Sequence, residues 1–402
     1  VDGMCDRMNP ARIVDAAQNN KNTSWRIFGS VYLDIKPIKN LSIRSTFSPE
    51  YTSNFSRSFR YPYSEGFLSN SELSTSITQT HRTNWTWSNT ITYNMELGDH
   101  RATFLVGNEM IRNSNVTFFQ KTQGYEIQEP NYMWPDAATG SASVSGDETV
   151  SALSSFFGKI DYSYKNRYLL GITVRRDGSS RFGPGRRFAI FPSASAAWNI
   201  KNEPFMQDTA PWLSTLKLRA SWGMNGNDRI GNFRYAALTS TGNNYVFGSG
   251  NLDNEDIING VKTQTTPNSL LGWEKSTQTD VGADFGFFGN SLLFTADYFY
   301  KYTSGMLMEM PVPSYLGESK PIGNVGTMSN SGVELDLSYR YSIGDFNMTV
   351  GVNASHIKTT LIDAGNEAGE RFDGSMHMMG SVSRGANGLV YPHFYGYETA
   401  GI

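Results

Sequence analysis

The stretches VELDLSYRY at residues 333–341 and FNMTVGVNA at residues 346–354, joined by Ser342-Ile343-Gly344-Asp345, decide how this chain folds. In the first, Val333, Leu335, Leu337, Tyr339 and Tyr341 are apolar, and Glu334, Asp336, Ser338 and Arg340 fall between them. In the second, Phe346, Met348, Val350, Val352 and Ala354 alternate with Asn347, Thr349, Gly351 and Asn353. Successive side chains of a strand point to opposite faces, so a period of two gives one apolar and one polar face. Gly344-Asp345 is turn chemistry between two such strands.

The same alternation recurs outward from this pair. Leu292, Phe294, Ala296, Tyr298 and Tyr300 stand opposite Thr295, Asp297 and Lys301. Leu216, Leu218, Ala220 and Trp222 stand opposite Lys217, Arg219 and Ser221. Ile27, Gly29, Val31, Leu33 and Ile35 repeat it, as do Ile91, Tyr93, Met95 and Leu97. The pattern predicts about 13 strands, near 23–35, 40–52, 79–97, 101–118, 151–165, 167–178, 187–199, 214–224, 273–287, 291–301, 331–343, 345–357 and 390–400.

Connection lengths alternate as well. Short turns are expected at Lys36-Pro37-Ile38-Lys39, Gly98-Asp99-His100, Lys165-Asn166-Arg167, Phe288-Gly289-Asn290 and Gly344-Asp345. A helical turn is expected near Asn202-Glu203-Pro204-Phe205. Long polar loops fall near 53–78, 119–150, 225–272, 302–330 and 358–389. Every short turn lands on one side, which describes an up-and-down meander. Long structureless loops are uncommon in compact soluble domains. Outer-membrane barrels carry them on one side only, and place aromatic rings at the strand ends. Tyr162, Tyr164, Tyr168, Trp198, Trp222, Tyr298, Tyr300, Tyr339 and Tyr341 fit such a girdle.

Composition agrees. The 402 residues carry 34 Lys plus Arg and 37 Asp plus Glu, a net charge of −3, which excludes a nucleic-acid binder held by bulk positive charge. Charged residues are 18% and aromatic residues 13%. The first figure is below the roughly 25% of a soluble domain. The single cysteine, Cys5, excludes an intramolecular disulfide and a multi-cysteine metal site. No window of about 18 apolar residues offers a transmembrane helix, but strands cross membranes with only alternate residues facing lipid.

Over residues 151–402 the chain resembles the SusC/RagA family of TonB-linked outer-membrane proteins of Bacteroidetes. The resemblance is carried by SFFGKIDYSYKNRYLL (155–170), VRRDGSSRFGP (174–184), FPSASAAW (191–198), LKLRASWGMNGN (216–227), WEKST (273–277), DYFYK (297–301), NSGVEL (330–335) and FYGYETAGI (394–402). It implies a barrel of about 22 strands around an N-terminal plug. It also implies nutrient import, of glycan oligosaccharides or oligopeptides, driven by TonB, with a SusD-like surface lipoprotein as lid. Residues 1–402 are then expected to be an interior part of that barrel, all-β and antiparallel. The plug, the TonB-contacting segment and the terminal strands would lie outside this sequence. Outer-membrane lipid would surround it, and no cofactor is implied.

Candidate contacts for substrate or partner lie in the long loops. Arg176 and Arg181 sit in Arg175-Arg176-Asp177-Gly178-Ser179-Ser180-Arg181-Phe182-Gly183-Pro184, whose Asp-Gly and Gly-Pro pairs read first as an ion-paired, glycine-shaped rim. Tyr245, Phe247, Tyr315, Tyr391 and Phe394 are aromatic loop residues suited to stacking on a sugar or docking a lid. Met378 belongs to Met376-His377-Met378-Met379, which with Met306, Met308 and Met310 offers an adaptable apolar surface or, less favoured, a soft metal site. Asp253-Asn254-Glu255-Asp256 lacks calcium-loop spacing and reads as a solvated loop. Glu334, Asp336, Arg340, Lys217 and Arg219 are expected to face a polar interior. No nucleophile elbow or phosphate loop occurs, and no His pair has metal-ligand spacing, so no enzyme is expected. A passive porin and a surface adhesin built on the same barrel are the alternative functions.

Overall fold

The computed structural model describes residues 9–65, 68–207, 210–247, 256–258, 260–310, 312–313, 315, 317, 319–376, 380–396 and 401. Its dominant feature is one 13-stranded antiparallel sheet. The strands are β1 (Lys21–Phe28), β2 (Val31–Ile38), β3 (Leu41–Arg60), β4 (Ser74–Leu97), β5 (His100–Gln123), β6 (Ala142–Tyr164) and β7 (Tyr168–Ser179). They continue as β8 (Phe188–Asn199), β9 (Leu213–Asn227), β10 (Glu274–Phe287), β11 (Leu292–Ser304), β12 (Thr327–Ile343) and β13 (Phe346–Asp363). From β3 onward each strand pairs with the next, and β1 and β2 both pair with β3.

By packing, the described chain divides into two units. The first holds the residues up to Leu33 with Ser45–Ser88 and Glu109–Ala152. Its core is small: Phe59, Leu73, Tyr125 and Met133 are buried, with Tyr61 and Ala138 against them. A helix, α1 (Pro10–Ala17), begins where Asn9 accepts a hydrogen bond from the Ala11 amide at 3.0 Å. Pro10 at its first position has no amide to leave unbonded. The single strand expected over 23–35 is broken at Gly29-Ser30. The break lies opposite Pro49, which has no N–H to give the ladder and whose carbonyl accepts from the Gly29 amide.

The second unit holds Asp34–Arg44, Asn89–Asn108 and the residues from Leu153. Here the registers run without slip from β6 to β8 and through β10–β11–β12, with single irregularities near Leu213 and Thr327. Side-chain exposure is inverted relative to a soluble sheet. In β7, Leu170 is 50% exposed, Ile172 54% and Val174 47%, while Gly171 and Thr173 between them are half-buried. The apolar residues of β12 and β13 are exposed too, but there most of the polar residues between them are exposed as well. No helix is long and apolar enough to cross a membrane, which says nothing about crossing by strands.

The short turns stand where the pattern put them, with one shift: β2 runs on to Ile38, and Asn40, at φ +77°, makes the bend. Lys165 and Asn166 both adopt positive φ, the geometry that matches the twist of paired strands. The long connections are less bare than expected. Strands β3 to β6 and β12 to β13 outrun their predicted ends, and residues 228–273 hold two ribbons, Leu238–Thr241 with Val261–Thr265 and Tyr245–Phe247 with Asp256–Ile258. Of the strand expected over 390–400, residues 397–400 lie outside the described residues, and 390–396 do not join the large sheet. Among the described residues it is reduced to His393–Phe394, which pairs with Gly380–Ala386.

Candidate functional site

The polar face of β6 to β12 is built from rungs that the register aligns. One rung reads Asp161, Gly171, Ser195, Ser221, Asp280 across β6–β10. Its middle is made of side chains too small to fill the face. Two adjoining cavities, of ≈ 560 and ≈ 760 Å³, share these five residues. The charges at its ends are already partnered. Lys159 Nζ lies 2.8 Å from Asp161 Oδ2. Asp280 accepts from Ser221 Oγ at 3.0 Å and from Gln278 Nε2 at 2.7 Å.

The next rung places Arg219 opposite Gly282, and Gly282 opposite Asp297. Arg219 Nη2 donates to Asp297 Oδ2 at 2.7 Å and to Asp284 Oδ1 at 3.2 Å. Thr295 Oγ1 donates to the same Asp284 oxygen at 3.3 Å. Lys217 and Arg219 were legible as polar-face charges; the bridging of two strands by one guanidinium was not. Its signal in the sequence is Gly282, the only residue type that leaves room for the crossing. The arrangement offers hydroxyl, amide and paired-charge contacts to a polar solute. Among the described residues no three His, Cys, Asp or Glu are placed to hold a metal ion.

At the short-turn end, Ile200–Asn202 and Pro204–Gln207 form the expected helical turn. Glu203 is buried there. It accepts from Trp198 Nε1 at 3.0 Å and lies 3.3 Å from Arg167 Nη1. Hydrogen bonds from Tyr168 and Trp198, with the Arg167 charge, hold its carboxyl below the usual range. Tyr164, Tyr168 and Trp198 stack in sequence along this end.

The loop-borne candidates fall in five separate segments. Arg176 lies with its guanidinium 3.9 Å from the Phe188 ring centroid, on the parity of the apolar face. Phe188 occupies the space that Gly178 leaves. Arg181 is turned inward: Nη1 donates to Asp228 O at 3.0 Å and pairs with Asp228 Oδ1 at 3.5 Å. Ser179 Oγ donates to Asp228 Oδ2 at 2.7 Å, and Phe182 is fully buried against Trp273. The 180–187 connection is thus a packed knot. Tyr391 packs over Gly385 beside the buried Leu361. Tyr315 and Phe394 are 85% and 96% exposed. Tyr245 and Phe247 lie on a ribbon whose side chains are outside the described residues, as are Cys5, Met378 with its neighbours His377 and Met379, and Asp253-Asn254-Glu255. In the other methionine segment, Met308 and Met310 pack over Gly326 and Gly323.

One loop, read from the sequence only as a long polar connection near 119–150, supplied no candidate contact there. Residues 124–141, between β5 and β6, are pinned from below by Arg57. Its Nη2 donates to Pro130 O at 2.7 Å and to Met133 O at 2.9 Å, and its guanidinium lies 3.9 Å from the Trp134 ring centroid. Thr75 Oγ1 donates to Met133 O at 3.1 Å. The signal available was the apolar cluster Tyr132-Met133-Trp134, with Tyr125 and Ile127 shortly before it, inside a connection read as polar.

A long antiparallel meander with apolar side chains facing its surroundings and bonded charges on the other face is a sheet of the outer-membrane receptor class. The chain belongs to the family described as TonB dependent receptor-like, beta-barrel, whose model matches residues 7–401. Receptors of this family reside in the outer membrane and are not enzymes. Among curated relatives, it is 30% identical over 361 residues to TonB-dependent receptor P26 of Formosa agariphila, covering 86% of this chain and 35% of that protein. It is 29% identical over 395 residues to TonB-dependent receptor SusC of Bacteroides thetaiotaomicron, covering 94% and 37%. Among solved structures, the RagAB peptide transporter matches with a TM-score of 0.81 and 26% identity, over 96% of this chain and 41% of that one. The chain spans about a third of the length of the curated relatives it matches.

Proposed function

We propose that this chain is part of the barrel wall of an outer-membrane importer that takes up glycan oligosaccharides or oligopeptides. In this reading a SusD-like surface lipoprotein lids the barrel, TonB supplies the energy, and the plug and remaining strands belong to the rest of a longer polypeptide. The length of the relatives supports the last point. The observation that carries the reading is the two-faced sheet. Leu170, Ile172 and Val174 are suited to lipid, and the rung from Asp161 to Asp280 is suited to a wet passage. The loop-borne aromatics Tyr315 and Phe394, and Arg176, remain candidates for contact with substrate or lid.

The test is uptake by cells carrying the complete receptor gene, with and without its TonB-contacting segment. Loss of uptake on deletion is expected. Unchanged uptake would overturn the energised importer and leave the passive porin; binding without uptake in either strain would leave the adhesin.

A further inference from the structure

We propose that residues 125–140 form a rigid docking knob for the surface lipoprotein, and that the lipoprotein meets it with a lysine- and arginine-bearing surface. This rests on the two-component reading above and adds the place and the chemistry of the contact.

The loop is ordered before any partner arrives. Gly124 N donates to Leu73 O, Thr139 N to Gly124 O, and Gly140 N to Gln123 O, closing its base. Met133 is completely buried and Tyr125 nearly so, and Arg57 fixes the middle. A loop fixed in this way loses little entropy on binding. What it presents outward is apolar and acidic: Ile127 is 51% exposed, Tyr132 61% and Trp134 48%. Tyr and Trp are the side chains that anchor protein interfaces.

Charge selects the kind of partner. From Thr122 to Gly158 the sequence has five carboxylates, Glu126, Glu129, Asp136, Asp147 and Glu148, and no Lys, Arg or His. Glu126, Glu129 and Asp136 are exposed and have no ion-pair partner among the described residues. A neutral sugar gains nothing from that excess, whereas a basic protein face is steered by it. The two exposed rings, Ile127 and the three carboxylates are spread along one continuous loop, which suits a broad surface better than a single small solute.

The experiment uses the full-length receptor and its SusD-like lipoprotein in detergent, measuring association and dissociation rates from 50 to 300 mM salt. The wild-type complex is expected to weaken with salt. E126K/E129K/D136K should slow association by on the order of tenfold or more at low salt and flatten the salt dependence. A second variant, I127S/Y132S, should speed dissociation; heat-modifiable gel mobility checks that both fold. Variants that bind like wild type at every salt overturn the docking knob and leave the pair intact. A wild-type receptor that binds no lipoprotein overturns the two-component reading, and this inference with it. Competition by a neutral maltooligosaccharide would assign the knob to substrate instead and overturn the inference.

Discussion

Arg219 on β9 bonds Asp297 on β11 at 2.7 Å by reaching over Gly282 on the strand between them. A Cβ at position 282 would stand 2.0 Å from Asp297 Oδ1 and 3.0 Å from Arg219 Cζ. Gly282→Val is therefore expected to separate the pair and strain the rung, at about 1–3 kcal/mol. Thermal melting of the refolded receptor, followed by heat-modifiable mobility, measures it. A melting point equal to wild type would mean that the crossing contributes nothing to stability.

Ile172 and Thr173 are neighbours on β7 and face opposite ways. Ile172→Arg places a charge on the exposed apolar face, and should hinder insertion into lipid vesicles by up to about 2–4 kcal/mol. Thr173→Arg should insert nearly as well as wild type. Equal insertion yields for the two variants would contradict the assignment of the faces.

Glu203 predicts a pH dependence. Tyr168 and Trp198 hydrogen bonds and Arg167 favour its ionised form in the folded state, so its folded pKa is lowered. The unfolded state then binds its proton first as pH falls. The stabilisation is fully present above the ordinary carboxylate range and is lost through that range toward the lowered folded value. Glu203→Gln should melt below wild type at pH 7, and the gap should close as pH falls below about 4. A gap constant with pH would show that packing, not charge, is what Glu203 contributes.

Arg57 predicts local rather than global instability. Arg57→Ala leaves Pro130 O without its donor and Met133 O with Thr75 Oγ1 alone, at about 1–3 kcal/mol for groups shielded from water. Limited proteolysis should cut residues 124–141 in the variant and spare them in wild type, with the sheet melting unchanged. Lysine should restore the protection only in part, because a single ammonium cannot also lie flat over Trp134.

Trp273 is the keystone of the 180–187 knot, with its ring 5.3 Å from Phe182 and 5.4 Å from Phe191 and its Nε1 donating to Arg187 O at 2.8 Å. Trp273→Ala should open the knot, at about 3–5 kcal/mol locally. Hydrogen exchange at residues 178–187 should rise well above wild type; unchanged protection would place the hold elsewhere, at Arg181 and Asp228.

The period of two in VELDLSYRY and FNMTVGVNA was enough to place β12 and β13, and the turn residues at 98–99, 165–166 and 344–345 placed their hairpins. Failures came where the chain's neighbours decide. Residues 23–35 carry only Gly29-Ser30 as a hint of the break, a weak signal inside an alternating run; Pro49, which faces it, is twenty residues on and across the ladder. The end at 390–400 has aromatic character suited to a strand, yet its described residues pair in a side ribbon. The eight loop candidates were chosen by residue type, and type alone did not separate Arg181, which is bonded inward, from Phe394, which stands almost free.

What the sequence determined by itself is the two-faced strand, the order of hairpins and the family, because alternation, turn chemistry and motif order are properties of residues near one another along the chain. What only the tertiary structure decided is which side chains meet. Arg219 reaches Asp297 because register sets Gly282 between them, and Arg57 holds Met133 because two segments more than seventy residues apart are folded together. Pairing across strands depends on register and on the space that intervening side chains leave, and neither is written in the residues that make the pair.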